Sequence, residues 1–147
     1  MNQLKKILFF IIPSLVIFTS CKKAKDHITE TQLEKYFEAN VLNRDFIITL
    51  ATDSASDFTT DYTGYIFVLL KTDYYHGPLK VTKGSNVYMG TWAANEDFGK
   101  LDIALPAMPP EFIFLTRSWR FTSKNLPELK FAPWGSNAQI ALTMYRQ

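Results

Sequence analysis

Leu79-Lys-Val-Thr-Lys-Gly-Ser-Asn-Val-Tyr-Met-Gly-Thr-Trp-Ala-Ala94 is the stretch of sequence that decides the fold. Two segments rich in β-branched and aromatic residues flank the turn residues Gly84-Ser85-Asn86, and this arrangement predicts a β-hairpin. Its strands are expected to be Leu79–Lys83 and Val87–Ala94. Segments of the same kind precede and follow the hairpin, so strands joined by turns are expected to dominate the chain.

Six further segments have the alternating or aromatic-rich pattern of strands. They are Asp45–Thr52, Tyr62–Lys71, Lys100–Leu105, Arg117–Ser123, Glu128–Ala132 and Ala138–Arg146. Strands that follow one another through tight turns favour an antiparallel meander, and eight strands are enough to close a small barrel. Prolines in Pro106–Glu111 forbid a regular strand there, and we expect Glu111–Leu115 to form a helical turn that plugs one end.

One helix is predicted ahead of the strands. Thr29 and Gln32 fit a capping box, and four apolar residues then fall on one helical face: Leu33, Tyr36, Phe37 and Val41. An amphipathic helix is therefore expected over Thr29–Leu42. The predicted fold is mainly β, a single antiparallel meander barrel of about eight strands with one N-terminal helix, in one domain over residues 29–147.

Residues 1–20 have the order of features of a lipoprotein signal peptide. A start with two lysines leads into the apolar run Ile7–Phe18, then into two small residues and Cys21, the only cysteine. The run is shorter than the about 18 residues that a spanning helix needs, and the order is typical of a cleaved signal. An uncleaved anchor and a buried core helix are the alternatives. The order resembles the lipobox of bacterial lipoproteins, which implies a lipidated Cys21 and a polar tether over residues 21–28.

Removal of the leader makes the chain formally neutral, because Lys5 and Lys6 account for the excess of 16 basic over 14 acidic residues. Nucleic-acid binding usually requires a clustered basic surface, so no nucleic-acid partner is expected. Lys22 follows the cysteine, where inner-membrane retention signals have Asp, and the acidic run of many surface-exposed lipoproteins of Bacteroidota is missing. This resemblance implies an outer-membrane lipoprotein that faces the periplasm and is held to the membrane by the acylated Cys21.

Four segments of the predicted barrel resemble a group of small lipocalin-like, calycin-type lipoproteins of Bacteroidota. They are Asp61–Phe67, Gly90-Thr91-Trp92, Lys100–Leu105 and Trp119-Arg120-Phe121. The likeness covers most of Phe46–Tyr145 and implies a barrel whose shared motifs are structural and not catalytic. The chain departs from ordinary lipocalins in one respect, because their Gly-x-Trp lies on the first strand and here it lies in the middle of the barrel.

The sequence contains no recognisable catalytic constellation. A lipidated Cys21 leaves no thiol nucleophile, no serine lies in a nucleophile elbow, and no glycine-rich phosphate loop is present. His27 falls in the tether, and His76 falls in Tyr74–Pro78, a predicted turn in which a histidine is usually a surface residue. No catalytic residue and no cofactor are predicted.

Asp53, Asp57 and Asp61 recur at every fourth position between the first two predicted strands. They could supply the oxygen ligands that calcium prefers, or they could be solvated turn residues. The spacing differs from the alternate positions of an EF-hand loop, which favours solvated turn residues. No metal site is predicted.

Aromatic residues provide two candidate binding surfaces. One set faces the predicted interior, where it could line a cavity for a small apolar ligand or fill the barrel: Trp92, Trp119, Phe121 and Phe131. A second set falls in predicted turns, where it could form a partner surface or fold back on the core: Tyr74, Tyr75, His76 and Trp134.

These observations predict a non-enzymatic, lipid-anchored envelope protein that binds a small apolar ligand or a protein partner. The alternative is a structural or inhibitory interaction module with a solid barrel core that acts through its loops. A hydrolase is the third hypothesis, and it would require polar residues that converge in a cleft.

Overall fold

Nine strands follow one helix in the computed structural model, which describes residues 32–147. The predicted signal peptide, Cys21, the predicted tether with His27 and the predicted capping residue Thr29 lie outside the described residues. The elements are α1 (32–40), β1 (Asp45–Asp53), β2 (Ser56–Asp57), the 3-10 helix η1 (Thr59–Tyr62), β3 (Tyr65–Leu69), β4 (His76–Lys83), β5 (Asn86–Ala94), β6 (Lys100–Ala104), α2 (Phe112–Leu115), β7 (Arg117–Ser123), β8 (Glu128–Pro133) and β9 (Ile140–Arg146).

Eight of these strands close into an antiparallel barrel. From β3 to β9 each strand pairs with the next along the chain, and β1 joins both β3 and β9. The closing contact between β1 and β9 runs from Phe46 opposite Arg146 to Asp53 opposite Ile140. The two-residue strand β2 turns back on the end of β1. The predicted meander barrel of eight strands with a leading helix is confirmed.

Side chains alternate between the barrel interior and its outer wall, as the period of a strand requires. On β3, Tyr65, Phe67 and Leu69 are buried while the residues between them are only half-buried. On β4, Leu79 and Val81 are buried in the same way. The core therefore lies inside the barrel.

Several element boundaries differ from the sequence-based expectation, and at two of them a turn or a 3-10 helix takes the place of the expected residues. The helix was expected to end at Leu42, but it ends at residue 40, and a turn that includes Asn43 with φ of 56° follows. The second long strand was expected to begin at Tyr62, but β3 begins at Tyr65 because Tyr62 closes η1.

The predicted turn over Tyr74–Pro78 was wrong at its end. His76 is the first residue of β4, and it pairs with Ala93 of β5. Gly77 and Pro78 continue the ladder opposite Trp92 and Thr91. The pairing with β5 thus overrides the turn preference of a Gly-Pro pair.

Gly77 makes room for a part-buried hydrogen bond beside it. The Trp92 indole N–H donates to the Leu70 carbonyl oxygen over 2.8 Å. A Cβ atom at Gly77 would lie 2.1 Å from that oxygen and 3.0 Å from the indole nitrogen. Since these distances are far inside van der Waals contact, only glycine is compatible with this bond.

Connections in an antiparallel meander alternate between the two ends of the barrel. The α1 end contains α1 and the connections 70–75, 95–99 and 124–127. The α2 end contains the connections 54–64, 84–85, 105–116 and 134–139, with η1 and α2.

Helix α1 closes the α1 end through Phe37. Its ring stacks on Phe98 with centroids 4.4 Å apart, lies 5.9 Å from the Trp92 ring and meets Phe121 edge-on at 6.5 Å. Phe37 is buried although it belongs to a helix outside the barrel wall. Of the face predicted for this helix, Phe37 forms the plug, Leu33 is half-buried and Val41 is buried just after the helix, whereas Tyr36 is exposed.

Helix α2 closes the opposite end, as the helical turn predicted for Glu111–Leu115 suggests. Phe112 is fully buried and contacts the rings of Tyr65 and Tyr88 at 5.4 and 5.2 Å. The Leu115 carbonyl oxygen accepts a 2.9 Å hydrogen bond from the Trp119 indole N–H. This bond ties the helical plug to the barrel wall.

Truncation of Phe112 tests this plug against its exposed neighbour Ile113. We expect Phe112→Ala to lower the free energy of unfolding by about 3–5 kcal/mol, because it leaves a cavity among packed rings. Ile113 is 62% exposed, and Ile113→Ala should change the free energy by less than about 0.5 kcal/mol. Urea unfolding followed by tryptophan fluorescence measures both variants. Equal losses would contradict the assignment of α2 as a plug.

Candidate functional site

The aromatic residues predicted to face inward lie in or beside the barrel core. Trp92, Trp119 and Phe131 are buried, and Phe121 is half-buried and packs against the core. Phe131 contacts both Phe121 and Trp119, with ring centroids 4.6 and 6.4 Å apart. The structure thus brings Trp119, Phe121 and Phe131 together, while Phe37 connects Trp92 to Phe121.

A continuous series of ring contacts runs through the barrel from the α1 end to the α2 end. Successive centroids lie 5.5, 4.4, 6.5, 4.6, 6.4, 5.7 and 5.5 Å apart. The rings of this aromatic column are, in order, Tyr75, Phe98, Phe37, Phe121, Phe131, Trp119, Phe114 and Phe58. Rings at these distances are in contact, so the protein's own side chains fill the interior along the column.

Tyr74 and Tyr75, predicted as partner-surface or core-covering residues, are half-buried and pack against the core. The Tyr75 ring stacks on Phe98 at 5.5 Å, and its hydroxyl donates to the Glu34 carboxylate of α1. The Lys71 ammonium lies 4.3 Å from the centroid of the Tyr74 ring. Tyr75 therefore binds α1 directly, and Tyr74 contacts Lys71, which pairs with Glu38 of α1.

His76 and Trp134 lie far apart in the fold. His76 is exposed at the start of β4, where its Nδ1 lies 2.9 Å from the Asp73 carboxylate. Asp73 also accepts the backbone N–H groups of Tyr75 and His76, and the pKa of Asp73 is lowered chiefly by the first of these bonds. Trp134, 46% exposed, follows β8 at the α2 end. The predicted partner set therefore does not form one surface.

The outer wall carries a polar cluster that resembles a nucleophile with charged neighbours. The Ser118 hydroxyl donates to Asp102, and the Lys100 ammonium lies 3.0 Å from the same carboxylate. These residues line an open trough of about 390 Å³ across β5, β6 and β7. Asp102 pairs directly with Ser118 across β6 and β7, so the cluster is a cross-strand polar contact.

A cleft of about 410 Å³ opens at the α2 end between η1 and the connection 105–116. We call it the Asp61–Glu111 cleft, after the two carboxylates on its lining. Its lining residues are Phe58, Asp61, Tyr62, Pro110, Glu111 and Phe114. Aromatic rings and carboxylates thus share one opening.

Two tyrosine hydroxyls build the cleft by holding its two sides together. Tyr62 donates to the Glu111 carbonyl oxygen over 2.6 Å, and Tyr65 donates to Glu111 Oε1 over 2.7 Å. On the other side, the Asp57 carboxylate accepts the Thr59 N–H at the start of η1 over 2.8 Å. Bonds from Thr59 lower the pKa of Asp57.

Two acids line the cleft and two cations lie nearby, Arg117 and Lys83, whose ammonium is 4.3 Å from the Tyr65 ring centroid. Burial raises the pKa of Tyr62 far above its usual range, and the charges of Asp61 and Glu111 add to this rise. Arg117 acts in the opposite direction on the same pKa. Burial and the hydrogen bond to Glu111 raise the pKa of Tyr65 likewise.

The cleft escaped the sequence-based prediction because its two sides are distant in sequence. In the sequence, Asp61 belongs to the three spaced acids and to the Asp61–Phe67 motif, and Glu111 begins a predicted helical turn. Successive connections of a meander lie alternately at its two ends, and this rule places the connections 54–64 and 105–116 at the same end. The order of the predicted strands was therefore the signal available in the sequence.

The three spaced aspartates have separate roles. Asp53 accepts the Ser54 hydroxyl over 3.3 Å, Asp57 binds the start of η1, and Asp61 lines the cleft. Within residues 32–147, no three His, Cys, Asp or Glu side chains lie close enough to hold a metal ion.

Comparisons with known proteins give no relative for this chain: no protein-family model, curated protein or solved structure matches it. Over the described range 32–147, no helix has both the length and the apolar character needed to cross a bilayer.

The raised pKa values of Tyr62 and Tyr65 predict a loss of stability at alkaline pH. An unfolded phenol ionises near pH 10, whereas these two keep their protons in the fold. Their contribution is therefore complete below about pH 10 and declines above it, by up to about 1.4 kcal/mol per pH unit for each phenol. Thermal unfolding midpoints between pH 8 and 11.5 measure the decline.

The double variant Tyr62→Phe/Tyr65→Phe should have a lower midpoint at pH 8, because two hydrogen bonds to Glu111 are lost. Its midpoint should then fall less steeply with pH than that of the wild type. Tyr145→Phe, at a residue that is 39% exposed, is the control and should keep the wild-type slope. A double variant with the wild-type slope would show that these phenols do not cause the decline.

Proposed function

We propose that this protein is a lipid-anchored, non-enzymatic interaction module of the bacterial envelope that binds a partner with the outside of a filled barrel. The observation that carries this proposal is the aromatic column, which runs between the two helical plugs. A ligand inside the barrel would have to displace rings that already contact one another, and such displacement is costly in a close-packed interior. The outer surface is the better binding site.

The anchor in this proposal is Cys21, acylated at the outer membrane and facing the periplasm. Support for it comes from the leader sequence, with its charged start, apolar run and single cysteine. Multiple acyl chains on one cysteine would make the attachment stable, because one chain alone binds a membrane only marginally. A closed barrel of eight strands also supports kinship with the lipocalin-like lipoproteins that the sequence resembles.

The α2 end is the surface that we assign to the partner. Exposed apolar side chains from two segments lie there, and we call them the apolar rim: Val87, Met89, Met108 and Ile113. Val87 and Met89 point outward from β5, and the other two belong to the connection 105–116. Exposed apolar patches on soluble domains are typical of interaction sites.

Native mass spectrometry of the full chain in detergent, followed by organic extraction, tests the filled barrel. We expect no apolar small molecule to remain with the protein at stoichiometric amounts. A ligand that is retained, and that Trp92→Phe or Trp119→Phe releases, would overturn the proposal in favour of a binding cavity. Ile113→Ser is the matched control, because its side chain lies outside the core and should not affect an interior ligand.

Site-specific photo-crosslinking in the native envelope tests the location of the partner surface. A crosslinker at Met108, which is 70% exposed, or at Ile113 should trap a discrete partner. A crosslinker at Tyr36, 41% exposed on α1, is the matched position at the α1 end. Crosslinking only from Tyr36 would contradict the proposal, because it would place the partner surface at the α1 end of the barrel.

A further inference from the structure

We infer that the Asp61–Glu111 cleft binds the cationic side chain of a partner protein, with an arginine guanidinium as the best fit. This inference rests on the proposed function, because it names the chemistry of the partner at the α2 end. It commits the cleft to a basic protein segment and not to a small apolar molecule.

The cleft keeps unpaired negative charge. Asp61 makes no side-chain hydrogen bond and no ion pair with any residue in 32–147. Within the same range, the Glu111 carboxylate accepts a hydrogen bond only from the Tyr65 hydroxyl, through Oε1. Arg117 lies near enough to influence Tyr62 but does not line the cleft. Two cations are nearby, Arg117 on the Phe114 ring and Lys83 at 4.3 Å from the Tyr65 ring centroid. The attraction for a further cation therefore centres on Asp61, which has no ion pair within 32–147.

The aromatic wall of the cleft suits a planar cation. The rings of Phe58 and Tyr62 lie 5.5 and 6.4 Å from that of Phe114, so the three form a continuous surface. A guanidinium stacks on aromatic faces and is attracted by their electron density. Arg117 already does so on Phe114, with its guanidinium carbon 4.9 Å from the ring centroid. An incoming arginine would use the same chemistry within the cleft.

The carboxylates at the opening complete the match. A guanidinium can bind a carboxylate with two parallel N–H donors, which an ammonium cannot do with the same geometry. Asp61 has both oxygens available for such a contact, and Glu111 has Oε2. Two carboxylates alone offer too few ligands for calcium, which takes six to eight oxygens, so an organic cation fits better than a metal ion.

The apolar rim favours a protein segment as the source of this cation. Pro110 and Glu111 line the cleft, and Met108 and Ile113 lie on the same connection a few residues away. An arginine seated in the cleft would bring its neighbouring residues over this exposed apolar surface. A free small cation would leave the rim uncovered.

The experiment titrates the full chain in detergent with acetyl-Leu-Arg-Leu-amide and follows binding by NMR of labelled phenylalanine rings. The matched neutral probe replaces arginine by citrulline, and butylguanidinium is the free cation. We expect the arginine peptide to shift the Phe58 and Phe114 signals and to bind about tenfold more tightly than the citrulline peptide. Butylguanidinium should bind more weakly than the arginine peptide, because it cannot cover the rim.

Asp61→Asn combined with Glu111→Gln should weaken binding of the arginine peptide about tenfold. Binding of the citrulline peptide should not change. Gln at 111 keeps an oxygen acceptor for the Tyr65 hydroxyl, so the fold should survive. Asp53→Asn removes a charge at the same end outside the cleft, and it should change binding by less than about twofold. In the wild type, added salt should weaken only the charged peptide.

Equal binding of the arginine and citrulline peptides, binding unaffected by the double variant, or no binding of any probe would overturn the inference. If butylguanidinium binds as tightly as the arginine peptide, the claim that the cation belongs to a protein segment is wrong, and a free organic cation is the better ligand. These outcomes do not affect the result of the mass-spectrometric test, which measures whether the barrel interior holds a ligand. The proposed function and this inference can therefore fail separately.

Discussion

The pairing of β1 with β9 is the constraint on which the rest of the structure depends. It joins the first and last strands of the barrel from Phe46 opposite Arg146 to Asp53 opposite Ile140. Closure removes the exposed edges of the sheet, and it also fixes the width of the interior that the inward side chains must fill. Eight strands leave a space that large rings can occupy. Two openings remain, and each requires a plug from outside the barrel wall.

The plugs are held by contacts that depend on a few positions. At the α1 end, Gly77 allows the Trp92 indole to reach the Leu70 carbonyl oxygen. This bond fixes the start of the connection 70–75, where Tyr75 in turn binds Glu34 of α1. At the α2 end the Trp119 indole has the corresponding role, since it binds the last residue of α2. In both cases a buried tryptophan satisfies its only polar group with the backbone of a closing segment.

The strands could be predicted from sequence because alternation of apolar residues is a local pattern, and all eight barrel strands were found in this way. Local sequence patterns gave the wrong element boundary where pairing with another strand determines the conformation. Gly77-Pro78 has the composition of a turn, yet it continues β4 because β5 pairs with it. The cleft was beyond this kind of reasoning, because Tyr62 and Glu111 are 49 positions apart. Their contact depends on closure and on the alternation of connections between the two ends.

The two ends of the barrel differ in how their charges are satisfied. At the α1 end, Lys71 pairs with Glu38 at 2.5 Å, which lowers the pKa of Glu38 and raises that of Lys71. At the α2 end, Asp61 has no such partner among the described residues, and aromatic rings line the same cleft. Unpaired charge beside apolar surface favours binding of a partner that carries both the opposite charge and apolar side chains.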